Sequence, residues 1–129
     1  MPVPIFVYGT LKRRGGGRHH QLLRDARFIA AGSITGEMYD LVHYPGVVRE
    51  PNTRRRVFGE LYEISDTSAP AALRALDAYE GGEFTRERVY VTTPAGKRRL
   101  AWTYVLRKRP PRSARQVASG KYHHRRGTA

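Results

Sequence analysis

A single stretch of this chain has the spacing of an amphipathic helix. Between Ala71 and Tyr79, apolar residues recur at helical intervals, Asp66 and Ser68 precede the stretch as candidate N-caps, and glycines follow it at 81–82. The other apolar runs are short and rich in β-branched and aromatic residues, which is typical of strands. The chain is therefore constrained to an α+β domain in which strands predominate.

Six runs are predicted as strands, at residues 3–8, 28–41, 47–48, 54–64, 84–93 and 98–106. The second run contains two glycines, which predict a bulge or a sharp bend. Residues 43–46 are predicted to form a turn in which Gly46 permits a positive φ, and short helical segments are expected at 19–23 and 114–118. These elements predict a mainly antiparallel sheet that can close into a small barrel with one or two helices outside it.

The length and composition limit what the chain can be. Its 129 residues fit one domain with one core, and it has no cysteine, which excludes disulfides, thiolate metal sites and a cysteine nucleophile. The first ten residues are too short and too interrupted by prolines to form a signal sequence or a membrane span. We expect a cytoplasmic protein, monomeric or weakly dimeric, with no membrane partner.

The positive charge is unevenly distributed along the chain. The net charge is +13, but residues 1–87 carry 12 basic against 11 acidic residues, whereas residues 88–129 carry 12 basic residues and no acid. We therefore divide the chain into a domain at 1–106 and a basic C-terminal tail at 107–129 that can fold back on it. Nucleic-acid binding through this tail is one hypothesis, although such proteins usually spread basic and aromatic residues over a folded face.

Two segments are candidates for chemistry. Tyr8, Gly9, Thr10 and Leu11 follow a predicted buried strand, and successive backbone N–H groups at such a turn can bind an anion, although most glycines there only turn the chain. Glu80 ends the predicted helix, where the helix dipole disfavours a carboxylate. It is either an ordinary surface glutamate or a buried one with a raised pKa that suits proton transfer.

Four motifs occur in a recognisable order. They are Val-Tyr-Gly-Thr-Leu-Lys at 7–12, Gly-Glu-Met-Tyr-Asp-Leu at 36–41 with Tyr-Pro-Gly at 44–46, Val-Phe-Gly-Glu-Leu-Tyr at 57–62, and Leu-Asp-Ala-Tyr-Glu-Gly at 76–81 followed by Phe-Thr-Arg at 84–86. Over residues 5–106 these motifs resemble the gamma-glutamylcyclotransferase-like family. The Ser-Gly-Lys-Tyr at 119–122 is similar to the ending of many members.

The resemblance implies a barrel of five or six strands with flanking helices, and cyclisation of a gamma-glutamyl amine or peptide to 5-oxoproline. It implies that Glu80 is the catalytic carboxylate and that the backbone from Tyr8 to Leu11 grips the substrate. It also makes Tyr39, Arg86 and Tyr122 candidate substrate-binding residues, against a plain structural role for each. Neither a metal nor a cofactor is required.

Two other interpretations of the sequence are a histidine metal site and a binding module without catalysis. The adjacent histidines at 19–20 and 123–124 point apart on irregular segments, so we predict no metal site there. A binding module that has kept the substrate cradle and lost turnover has the same motifs, because a fold does not determine a function.

Overall fold

The structure is a computed structural model that describes residues 1–8 and 25–122. In these residues the chain forms β1 Val3–Val7, β2 Arg27–Thr35, β3 Glu37–Asp40, β4 Pro45–Val48, β5 Arg56–Ile64, α1 Ala69–Glu80, β6 Phe84–Thr92, β7 Arg98–Leu106 and β8 Arg115–Gln116. A short 3-10 turn, Gly81–Glu83, joins α1 to β6. The helix predicted at 19–23, both histidine pairs, and Gly9, Thr10 and Leu11 lie outside the described residues.

Five strands close into a barrel in the order β1-β5-β2-β6-β7. Each neighbouring pair is antiparallel except β1 and β7, which close the barrel as a parallel pair with Ile5 opposite Trp102. One α-helix flanks this barrel in the described part of the chain. The predicted fold class, a small and mainly antiparallel β-barrel with a flanking helix, is confirmed.

Strand β1 is covered on both faces, which explains its nearly continuous apolar sequence. Phe6 is 1% exposed and belongs to the core inside the barrel, whereas Ile5 and Val7 belong to a second core cluster that includes Ala69 and Leu76 of α1. The alternation of side chains along a strand thus places one core inside the barrel and another between the barrel wall and the helix.

The run predicted as one strand at 28–41 is two strands. Strand β2 pairs with β5 inside the barrel, its register shifts between Phe28 and Ala30, and the chain then bends at Gly36 into β3. Strand β3 lies between β4 and β8 in a separate three-stranded sheet. The bend is present at Gly36 and moves the chain from one sheet to the next, whereas the register shift lies at 28–30 rather than at a glycine.

Two local predictions are wrong. Residues 115–116 form strand β8 rather than part of a helical turn, because the free edge of β3 pairs with them and Val117 N–H donates to the Met38 carbonyl at 2.7 Å. Gly46 lies within β4, and the positive φ of 83° belongs to Val42 instead. Gly46 is needed for space, since a Cβ there would lie 2.7 Å from Leu106 Cδ1.

Helix α1 begins and ends close to its predicted limits. Ser68 occupies the N-cap position but its side chain makes no capping bond, and a proline in the first turn leaves one backbone donor fewer to satisfy. Asp66 instead accepts a bond from the N-terminal ammonium of Met1. At the other end Gly81 adopts a φ of 75°, and its N–H donates to the Asp77 carbonyl.

The segment after β7 packs on the domain as far as residue 122. The Gly120 carbonyl accepts a hydrogen bond from Phe58 N–H at 2.8 Å, and the Tyr122 side chain is only 7% exposed inside the barrel core. Three acids of the first half of the chain form ion pairs with arginines of the second: Glu63 with Arg99 at 2.8 Å, Glu50 with Arg109 at 2.6 Å, and Asp40 with Arg115 at 3.7 Å. The basic excess is thus partly neutralised by folding.

The described residues contain no helix with the length and apolar character that a membrane crossing requires.

The docking of the 117–122 segment predicts a strong effect of Gly120→Ala. Gly120 has a φ of 70°, and a Cβ there would lie 1.8 Å from the Arg56 carbonyl oxygen, whereas Gly96 has a φ of 82° and nothing within 4 Å. Gly96→Ala should cost about 1 kcal/mol for its left-handed backbone, and Gly120→Ala about 3 kcal/mol or more because the clash adds to that cost. Urea unfolding of the wild type and of the two variants measures both losses in the free energy of unfolding. Equal losses would contradict the docked position of this segment.

Candidate functional site

A cavity of about 460 Å³ opens where β1 ends, α1 ends and the β3–β4 turn approaches the barrel. A cavity of this size suits a small molecule. The described residues that line it are Phe6, Val7, Tyr8, His43, Tyr44, Pro45, Tyr79, Glu80, Glu83, Phe84, Thr103 and Tyr104. They combine apolar and aromatic walls with two carboxyl groups and four tyrosines.

Glu80 is half-buried in this cavity as the last residue of α1. In the described part of the chain no side chain forms an ion pair with it, and burial alone raises the pKa of its carboxyl to about 7. A carboxyl with that pKa exchanges protons readily near neutral pH, which general acid–base catalysis requires.

The helix end directs Glu80 inward. Leu76 is fully buried one turn earlier, and residues four positions apart share a helix face, so Glu80 follows Leu76 toward the barrel. The left-handed Gly81 then ends the helix, and the 3-10 turn carries the chain into β6. The sequence Leu-Asp-Ala-Tyr-Glu-Gly thereby places a carboxyl at the mouth of the barrel.

Tyr8 also lines this cavity and lies directly after β1. Its hydroxyl donates a hydrogen bond of 2.5 Å to the backbone carbonyl of Tyr104. Burial, and then the negative charge of Glu80, raise the pKa of the Tyr8 phenol well above its usual range. Tyr8 is therefore neutral at neutral pH, its hydroxyl is held by the Tyr104 carbonyl, and it lines the same cavity as Glu80.

A hydrogen-bond network lies behind the cavity wall. The Tyr104 hydroxyl donates to Asp77 Oδ1 at 2.5 Å, and Arg86 donates to both oxygens of the same carboxylate at 2.9 and 3.2 Å. The Arg86 guanidinium beside Asp77 lowers the pKa of that carboxyl, and it also stacks 4.5 Å from the Trp102 ring centre. Asp77 is therefore an ionised acceptor held between α1, β6 and β7.

The outer rim of the cavity carries a second tyrosine–carboxylate pair. The Tyr44 hydroxyl donates to Glu83 Oε1 at 2.5 Å, and the Tyr44 ring packs 6.1 Å from the Phe84 ring. This bond raises the pKa of the Tyr44 phenol. The rim therefore joins the turn before β4 to the turn after α1, with the Glu83 carboxylate at the entrance.

The structure brings together some of the residues predicted for the site. Tyr8 and Glu80 both line the cavity, whereas Arg86 lies behind it with its guanidinium turned to Asp77. Tyr39 and Tyr122 are not among the described lining residues: the Tyr39 hydroxyl faces Glu37 at 3.4 Å, and Tyr122 packs inside the barrel. Gly9, Thr10 and Leu11 of the predicted cradle lie outside the described residues.

Sequence reasoning missed Asp77, Tyr104, Tyr44 and Glu83. Asp77 had a usable signal, since it lies three positions before Glu80 and therefore on a neighbouring part of the helix face. Tyr104 and Tyr44 come from distant segments, and only the register of β7 and the path of the turn bring them to the cavity.

Residues 1–8 and 25–122 contain no group of three or more histidine, aspartate or glutamate side chains placed to hold a metal ion. Of the two carboxyl groups at the cavity, Glu83 instead accepts a hydrogen bond from the Tyr44 hydroxyl, and Glu80 is half-buried without a cation.

Comparison with known proteins gives a consistent result. A family model described as "Gamma-glutamyl cyclotransferase, AIG2-like" matches residues 5–124. The chain is 36% identical over 121 residues to the gamma-glutamylcyclotransferase family protein YtfP of Escherichia coli, covering 92% of this chain and 94% of that protein. It is 38% identical over 98 residues to the gamma-glutamylaminecyclotransferase of Bos taurus, covering 68% of this chain and 55% of that protein. A crystal structure of an AIG2-like protein from Mus musculus superposes with a TM-score of 0.70 at 27% identity, covering 85% of this chain and 80% of that one.

The raised pKa of Glu80 predicts a pH-dependent effect of Glu80→Gln on stability. Burial favours the neutral carboxyl, so its stabilising contribution is present below the ordinary pKa of 4.5 and is lost as the pH rises to about 7. Relative to the wild type, Glu80→Gln should gain on the order of 3 kcal/mol between about pH 4 and pH 8, since each pKa unit is worth about 1.4 kcal/mol.

Urea unfolding at both pH values measures this difference. Glu87→Gln, at an exposed position paired with Arg49, controls for the amide substitution itself. A Glu80→Gln effect that is the same at both pH values would show that the carboxyl is not desolvated.

Proposed function

Because the chain belongs to the gamma-glutamyl cyclotransferase, AIG2-like family, we propose that it converts a gamma-glutamyl amine or peptide to 5-oxoproline and free amine, with Glu80 as the general acid/base. The observation that carries this proposal is the Glu80 carboxyl, half-buried in the cavity with a pKa raised to about 7. A proton-transfer group is most effective when its pKa lies near the working pH.

The reaction needs one group that both accepts and returns a proton. The substrate's α-amine attacks its own γ-carbonyl carbon, so a C–N bond forms within the glutamyl unit and the C–N bond to the departing amine breaks. Glu80 accepts the proton that the attacking nitrogen loses and delivers it to the departing nitrogen. The substrate becomes 5-oxoproline and the amine with no water consumed and no other reactant.

The cavity supports this chemistry mainly by holding the substrate bent. An intramolecular attack is accelerated when the reacting atoms are held in contact, which is worth several kcal/mol of the barrier. Phe6, Val7 and Phe84 provide apolar walls against the methylene groups of a glutamyl chain, and Tyr8 provides a neutral hydroxyl-bearing wall. These walls also reduce the water around Glu80, which keeps its pKa high.

Backbone N–H groups at residues 9–11 would hold the substrate's α-carboxylate in this scheme. The position of Tyr8 supports this assignment, because β1 delivers the chain to the cavity at the residue before Gly9. Such a turn binds an anion through its N–H dipoles without a cationic side chain.

Glu80→Gln tests the role of the carboxylate. In assays of 5-oxoproline release from a panel of gamma-glutamyl amines and peptides, the variant should lose at least about 100-fold in kcat/KM, since positioned acid–base groups contribute that much or more. Glu87→Gln, which changes a glutamate outside the cavity, should stay close to the wild type. Full activity in Glu80→Gln would overturn the assignment.

The wild type itself decides between enzyme and binding module. Isothermal titration with the same panel measures binding separately from turnover. Binding of a gamma-glutamyl compound without any release of 5-oxoproline would favour a non-catalytic member of the fold.

The pH dependence of the reaction follows from the same carboxyl. Only ionised Glu80 can accept the proton from the α-amine, so kcat/KM should rise with pH through an apparent pKa of about 7. Initial rates over a pH series measure this rise in kcat/KM, and a separate titration of the substrate's α-amine accounts for the substrate's own ionisation. A rate that is already at its maximum near the ordinary carboxyl pKa of 4.5 would contradict the role of a buried Glu80.

A further inference from the structure

Tyr104 joins the two sides of the cavity through two different atoms. Its backbone carbonyl accepts a hydrogen bond from the Tyr8 hydroxyl at 2.5 Å, and its own hydroxyl donates a hydrogen bond to Asp77 at 2.5 Å. Tyr8 stands at the end of β1, and Asp77 stands on the last turn of α1. One residue of β7 therefore contacts both the residue after β1 and the last turn of α1, and so links the position of the helix to that of the strand.

Asp77 is a rigid acceptor for this bond. Arg86 contacts both of its oxygens in a bidentate arrangement, which fixes the plane of the carboxylate. Arg86 is in turn held against the Trp102 ring at 4.5 Å, so its side chain has little freedom to move. The Tyr104 hydroxyl thus bonds to a group that the barrel itself holds in place.

Asp77 also belongs to the turn that carries Glu80. The two residues are three positions apart, and the Asp77 carbonyl accepts the Gly81 N–H that ends the helix. Leu76 anchors the same turn through apolar burial. If the Asp77 side chain loses its bond to Tyr104, the helix end is held by Leu76 and the Arg86 pair alone.

We infer that Tyr104 is a positioning residue of the site: its hydroxyl bond to Asp77 fixes the last turn of α1 and so sets where the Glu80 carboxyl lies relative to Tyr8. The inference rests on the proposed function, in which Glu80 must reach both the attacking and the departing nitrogen. A displacement of about 1 Å at such a group lowers the rate roughly 100-fold. Tyr104 acts through Asp77, since its hydroxyl donates its hydrogen bond to that carboxylate.

Tyr104→Phe removes this hydroxyl and keeps the ring and the carbonyl that holds Tyr8. Tyr62→Phe is its matched control, because Tyr62 is also buried in the barrel wall and its hydroxyl also donates to a carboxylate. That carboxylate is Glu60, at 2.9 Å, and neither residue lines the cavity. Tyr104→Phe should lower kcat about 10- to 100-fold with a smaller change in KM, whereas Tyr62→Phe should stay within about 2-fold. Equal effects of the two variants would overturn the inference while leaving the proposed function intact.

A second readout does not depend on turnover. With ¹³C-labelled glutamate, the Glu80 carboxyl can be titrated by NMR in the wild type and in both variants. Tyr104→Phe should lower its pKa from about 7 by about one unit or more, because a loosened helix end lets water reach the carboxyl. An unchanged Glu80 titration in a folded Tyr104→Phe would contradict the positioning role even if the wild type proved to have no cyclotransferase activity.

Asp77→Asn provides a second route to the same bond, and on its own it should lower kcat and the Glu80 pKa in the same direction as Tyr104→Phe; an unchanged kcat and Glu80 titration in a folded Asp77→Asn would overturn the inference even where Tyr104→Phe does not fold. The amide keeps the shape of the side chain and weakens both of its bonds. If Tyr104 acts through Asp77, the double variant should be no slower than the slower single variant. Fully additive losses would show that Tyr104 acts on the substrate independently of Asp77.

Discussion

The desolvation of one carboxyl group is the constraint on which the site depends. Glu80 loses water at the mouth of the barrel, gains no cation in the described part of the chain, and so keeps its proton up to about pH 7. Two other carboxylates of the described chain differ from Glu80 in having cationic partners: Asp77 is paired with Arg86, and Glu63 with Arg27 and Arg99, and these partners lower the pKa of each. The contrast separates a carboxyl suited to proton transfer from carboxylates that hold the structure together.

The barrel provides the surroundings that desolvate Glu80. Strand β1 is buried on both faces and closes the barrel against β7, so the two strands are fixed to one another at Ile5 and Trp102. Helix α1 packs outside this wall through Leu76, and its final turn is tied to the wall by Asp77. A cavity between these three elements therefore has a defined size, and the carboxyl at the helix end points into it.

Much of this arrangement can be predicted from the sequence, and the reasons for the exceptions are physical. The helix limits and the barrel strands follow from local signals, namely periodicity and the glycines after Tyr79. The assignment of Tyr8 and Glu80 to one site comes from the family resemblance of the four motifs, because local signals alone favour a simple turn and a surface glutamate. Tyr104 and Tyr44 could not be predicted, because their placement depends on strand register and on how a turn folds over the barrel. Residues 115–116 were predicted as helix because the pairing edge of β3 is not visible in their own sequence. Gly46 was predicted to adopt a positive φ. Glycine is required there for another reason, because a Cβ would clash with the neighbouring Leu106 side chain.

A crystal structure of the Glu80→Gln variant with an intact gamma-glutamyl amine would test the central claim most directly. The account predicts the substrate in the cavity between Tyr8 and the end of α1, with its α-amine and its departing nitrogen both within about 3 Å of the side chain at position 80. Its α-carboxylate should lie on the backbone amides of residues 9–11. A substrate bound away from position 80, or held with its α-amine turned toward solvent, would contradict the account.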